Sequence, residues 1–130
     1  MSQENVERLR RLTDALNAGE VPEFVAADYR AENVNTAVTD KTYIGPDGLR
    51  EWREDMFSPF GEARLQLDKV IAEGDDYVVA VTSLKGRGAA SDAPLELRWA
   101  NAFWFRGGRL VCTGGFLSIR EALKAVGLEE

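Results

Sequence analysis

Near the start of the chain apolar side chains return every three or four positions, so that Val6, Leu9, Leu12, Ala15 and Leu16 fall on one stripe of a helix predicted over Asn5–Asn17. Asn17-Ala18-Gly19 ends it, and Pro22 opens a short second helix through Phe24, Val25 and Ala26. From Tyr29 to Val38 asparagines mix with β-branched residues, the composition of an irregular or edge strand. Ile44-Gly45-Pro46-Asp47-Gly48 reads as a turn. Behind it Leu49, Trp52, Arg53, Met56 and Phe57 recur at helical spacing as far as Pro59, giving a third, amphipathic helix.

The period then changes from about 3.6 to 2. Ala63, Leu65, Leu67, Lys69 and Ile71 alternate with Arg64, Gln66, Asp68, Val70 and Ala72, which predicts a strand. Gly74-Asp75-Asp76 turns into a second strand, Tyr77–Lys85, and the stretch from Gly86 to Pro94 connects it to the longest one, Leu95–Phe105. Gly107-Gly108 turns into Leu110–Leu117, and a short helix over Ile119–Val126 closes the chain at Gly127. Helices followed by a four-strand meander predict an α+β fold, one domain over residues 1–130, with helices on one face of a curved antiparallel sheet. A sheet that curls in this way leaves a cavity between itself and the helices.

On the long strand one face reads Leu95, Leu97, Trp99, Asn101, Phe103 and Phe105, and the other Glu96, Arg98, Ala100, Ala102, Trp104 and Arg106. Asn101 is the one polar member of its row. A buried amide left unpaired costs about 1–3 kcal/mol, so Asn101 is expected to be answered by protein, by water or by a ligand. Trp52, Met56, Phe57, Trp99, Phe103 and Phe116 are either ordinary core or the walls of a pocket of several hundred Å³, the common size of small-molecule sites. Tyr29, Tyr43, Glu32, Asn33, Asn35 and Asp55 are candidates for polar groups at its mouth or for solvated surface. The opposite face, with Val79, Val81, Ala100, Ala102 and the large Trp104, is a candidate contact surface for a homodimer.

Composition narrows the chemistry. With 45% hydrophobic and 29% charged residues in 130, the chain has the balance of an ordinary globular domain. No apolar run is long enough for a bilayer and the charged N-terminus carries no export signal, so no membrane partner and a cytoplasmic address are expected. The single cysteine, Cys112, excludes an intrachain disulfide, and its apolar neighbours fit a core thiol better than a nucleophile. A net charge of −6 argues against nucleic acid, Arg8, Arg10 and Arg11 making only a local basic spot. The absence of histidine excludes Ser-His-Asp and Cys-His catalysis and histidine metal sites; neither metal nor cofactor is expected. Gly86-Arg87-Gly88 lacks the Gly-Lys-Ser/Thr ending of a phosphate loop and lies between strands.

The helix ending in Asn17-Ala18-Gly19-Glu20, the segment Gly45-Pro46-Asp47-Gly48-Leu49-Arg50-Glu51-Trp52, and the run from Arg98-Trp99-Ala100-Asn101 through Phe105-Arg106-Gly107-Gly108-Arg109-Leu110 resemble, in order and spacing, the SnoaL-like branch of the nuclear transport factor 2-like superfamily. The resemblance covers nearly the whole chain. It implies a cone-shaped α+β fold holding a small hydrophobic molecule, in a group that includes ketosteroid isomerases, polyketide cyclases and hydrolases. By the same resemblance the isomerase's oxyanion tyrosine corresponds to Leu12, its carboxylate base to Thr36 and its protonated aspartic acid to Asn101. The isomerase reaction needs the base and the acid together, so it does not run in that form here. A histidine common in SnoaL-like sequences near Trp99-Ala100 is absent, Asn101 standing in its place. The resemblance thus implies a ligand pocket at Leu12, Thr36, Trp52, Met56, Trp99, Asn101, Phe103 and Phe116. Asp28, Glu32, Asp40 and Asp55 are the carboxylates open to a hydrolase or other enzyme.

Overall fold

In a computed structural model, which describes residues 2–33 and 42–128, the apolar stripe of the first helix is buried: Val6, Leu9, Leu12 and Leu16 all face the core. This helix, α1, spans Ser2–Asn17, and β1 (Val25–Asn33), β2 (Tyr43–Ile44), α2 (Gly45–Phe57), β3 (Phe60–Glu73), β4 (Tyr77–Gly88), β5 (Pro94–Arg106), β6 (Arg109–Phe116) and α3 (Ile119–Ala125) follow. The strands form one curved sheet in the order β2-β1-β6-β5-β4-β3. The expected meander β3-β4-β5-β6 is antiparallel throughout, while β1 joins β6 in parallel. Among the described residues no helix is long and apolar enough to cross a membrane.

Three local expectations are corrected. The helix after Pro22 does not form: the Pro22 carbonyl accepts from Val25 N at 3.3 Å, a single turn, and Leu110 N then donates to Phe24 O at 2.9 Å as β1 begins. Phe24, Val25 and Ala26 are all buried, so sheet pairing takes a segment that the proline would start as a helix. The expected turn before Leu49 is instead the first turn of α2, with Pro46 in it. Gly48 permits that start, because a Cβ there would meet the Tyr43 backbone at 2.8 Å.

The third correction concerns β3. Its register against β4 shifts between Leu67 and Lys69 and again between Val70 and Ala72. Each shift adds a residue to β3 and breaks strict alternation. Lys69 and Ile71 therefore leave the row of Leu65 and Leu67, and Val70 packs on the main core in their stead. The part of the expected first strand beyond Asn33, with Asn35 and Thr36, lies outside the described residues, as does Asp40.

Cross-strand pairing fixes the two faces. Val78 opposite Phe103, Ala80 opposite Asn101, Thr82 opposite Trp99 and Leu84 opposite Leu97 share the inner face, towards α1 and α2. Tyr77 opposite Trp104, Val79 opposite Ala102 and Val81 opposite Ala100 share the outer face. There α3 buries Ala122 against Val79, Ala100 and Ala102, so part of the proposed contact surface is covered by the chain's own helix. Two asparagines tie α1 to the sheet. Asn5 Nδ2 donates to Asp75 O at 2.9 Å, and Asn17 both donates to Leu65 O at 2.8 Å and accepts from Leu65 N at 2.7 Å.

Candidate functional site

Between α1, α2 and the inner face lies a cavity of about 50 Å³, room for a few water molecules. It is smaller than the several hundred Å³ expected from the sequence. Leu9, Leu12 and Leu16 of α1 form one side, Leu49 and Trp52 of α2 another, and Leu65, Trp99 and Phe103 of the sheet the third. Trp52 and Trp99 meet edge to face with ring centroids 6.5 Å apart, bridging α2 to β5.

The polar side chains come from strands except Thr13 of α1, whose Oγ1 donates to Leu9 O at 3.0 Å. Asn101 of β5 is 8% exposed and Thr82 of β4 is 6% exposed; both line the cavity, and Asn101 Oδ1 and Thr82 Oγ1 have no hydrogen-bond partner. They lie on the same sheet face, one pair apart on adjacent strands. Tyr29 of β1 and Thr113 of β6 also line it, joined hydroxyl to hydroxyl at 2.7 Å. Burial pushes the Tyr29 phenol well above its ordinary range, against the smaller opposing effect of the Thr113 bond, so it stays a neutral hydroxyl. Gly114 and Gly115 complete the β6 side.

Asp, Glu, Lys and Arg are absent from this lining among the described residues. Asp55 accepts from Tyr43 Oη at 2.7 Å, and Asp28 is exposed. Asp40 lies outside the described residues, as does the side chain of Glu32. Among the described residues the arrangement offers neutral hydrogen bonding inside an apolar wall, with no ionised acid or base.

Of the residues expected at the pocket, Leu12, Trp52, Trp99, Asn101 and Phe103 are brought together. Met56 is buried in the same core but does not reach the cavity. Phe116 is corrected: it pairs with Ala100, whose side chain is on the outer face, and belongs with Trp104 in the cluster under α3. A Cβ on Gly114 would lie 3.1 Å from the Phe116 ring and 3.6 Å from Trp104. Thr36 lies outside the described residues. Thr82 and Thr113 were missed, although Thr82 carries the same signal as Asn101, one polar residue in the row Val78, Ala80, Thr82, Leu84.

A family model described as the SnoaL-like domain matches residues 6–113. Among solved structures the fold is similar to Bal32a from a soil-derived mobile gene cassette, at 17% identity over 88% of this chain and 89% of that one, with a TM-score of 0.73. It is also similar to a nuclear transport factor 2-like protein of unknown function from Burkholderia pseudomallei, at 19% identity over 98% and 99% of the two chains, TM-score 0.71. A third, with a ketosteroid isomerase-like fold, comes from Catenulispora acidiphila and is in complex with trimethylamine; it shares 18% identity over 90% and 85%, TM-score 0.62. No curated protein matches the chain.

Proposed function

Because the chain belongs to the SnoaL-like domain family, whose relatives in structure include proteins of unknown function, we propose that it is a small-molecule-binding protein whose ligand sits in the interior cavity against Asn101 and Thr82. One observation carries the reading: two buried polar atoms, Asn101 Oδ1 and Thr82 Oγ1, face a mainly apolar cavity without a protein partner. Leaving such groups unpaired costs about 1–3 kcal/mol each, a cost that a ligand or bound water removes by pairing with them. That a protein of this fold is found in complex with trimethylamine supports a ligand of only a few heavy atoms. Apolar contact with Leu12, Trp52, Trp99 and Phe103 supplies the remaining affinity.

The test is a titration of the ¹⁵N-labelled protein with a library of small neutral fragments. A binding fragment is expected to shift the Asn101 side-chain amide and the Gly114 and Gly115 backbone amides together, and Asn101→Leu to remove the response. A library that leaves these signals unmoved, or moves only surface residues, overturns the reading.

We also infer a homodimer through the part of the outer face beside α3, where Tyr77, Val81 and Trp104 are half-buried in an apolar row that α3 does not fully cover. Light scattering should give twice the chain mass, and Trp104→Arg should halve it. A wild-type monomer at every concentration refutes the dimer.

A further inference from the structure

Resting on the pocket reading, the geometry points to a ligand that is uncharged and carries a hydrogen-bond donor beside an acceptor, of which a primary amide is the simplest form. The reason lies in what surrounds the two unpartnered atoms. An ion brought into this cavity meets leucine, tryptophan and phenylalanine side chains, two glycines and five neutral polar side chains. Burying an ion without a counter-charge costs several kcal/mol even after the site relaxes, and no described Asp, Glu, Lys or Arg lines the cavity to offset it. Arg53 is engaged elsewhere, its Nε donating to Leu16 O, and Asp55 is held by Tyr43.

A purely apolar ligand is disfavoured for the opposite reason. In the free protein water can satisfy Asn101 and Thr82, and a molecule that displaces it without replacing its hydrogen bonds loses affinity. An amide replaces them in kind. Asn101 presents one carbonyl acceptor and two N–H donors, and a second amide pairs with it reciprocally, N–H to oxygen in both directions. The Thr82 hydroxyl donates or accepts as it rotates, so it serves whichever lone pair or N–H remains. The cavity volume of about 50 Å³ is one third of the roughly 150 Å³ cavity that takes benzene, which limits the enclosed part of the ligand to a group of acetamide size.

Three near-isosteric probes separate the possibilities: acetamide, acetate and ethylammonium, each titrated at pH 7 into the ¹⁵N-labelled full chain and followed at the Asn101 side-chain amide and at Gly115. Acetamide is expected to bind at least about tenfold more tightly than either ion, a ratio equivalent to about 1.4 kcal/mol, because neither ion finds a counter-charge in the lining. Thr82→Val should weaken acetamide severalfold while leaving the fold intact. Asn101→Asp should shift the preference to ethylammonium, because the new carboxylate supplies the missing counter-charge.

Acetate or ethylammonium binding the wild type as tightly as acetamide overturns the inference and leaves the pocket reading standing. Silence from all three probes also overturns it, and takes the pocket reading with it only if the wider fragment titration is silent too.

Discussion

Thr82 and Asn101 are anomalies in stability terms, since each keeps a polar atom buried with no protein partner. If they are retained for a ligand, removing one should stabilise the free protein. Thr82→Val keeps the shape and deletes the hydroxyl; it is expected to raise the unfolding free energy by about 1 kcal/mol, read from the urea midpoint at unchanged slope. A loss of that size would mean that the hydroxyl has a structural partner, and the pocket reading would lose one of its two supports. Tyr29 gives a second test. Its pKa is raised in the folded state by burial, so its contribution is fully present below the ordinary tyrosine value of about 10 and declines as pH rises past it, where the unfolded chain ionises and the folded one does not. Unfolding measured from pH 8 to 11 should show a steeper alkaline loss for wild type than for Tyr29→Phe. Parallel curves would contradict the burial argument.

At the scale of elements, α1 is held against β3 by one residue that satisfies two backbone groups. β3 is an edge strand, and Asn17 occupies the unpaired N–H and C=O of Leu65 at 2.7 and 2.8 Å. Asn17→Ala is expected to cost about 1–3 kcal/mol and to speed hydrogen exchange at the Leu65 amide, with Asn17→Asp keeping that amide protected by retaining the acceptor. Unchanged exchange in the alanine variant would show that the contact is incidental. Sequence periodicity showed the helix stripe, the meander and the polar break at Asn101, because each rests on local alternation alone. It did not show the register shifts after Leu67 and Val70 in β3, which depend on β4, and so it misplaced Lys69, Val70 and Ile71. Phe116 was misread for a related reason, since its face follows from pairing with Ala100 on a neighbouring strand. Thr82 was legible in its row, and its role became visible only once β4 lay beside β5.

Considered whole, the molecule uses the two faces of one sheet for different purposes. The inner face meets α1 and α2 around the cavity, and the outer face buries Val79, Ala100 and Ala102 beneath α3. The helix spans only Ile119–Ala125, and its seating depends on Ala122, which is completely buried. A charged side chain at that point cannot stay between helix and sheet without a partner. Ala122→Arg is therefore expected to lift α3 and bare the small apolar residues beneath it, adding them to the half-buried row of Tyr77 and Trp104. Exposed apolar area of that kind drives association, so light scattering should show species larger than the wild-type assembly while α3 amides lose protection. The inner face is screened from the change by the sheet, so the cavity should still bind the amide probe. If α3 detaches and the cavity response disappears with it, the two faces are coupled through the strands, and the outer helix is part of what shapes the site.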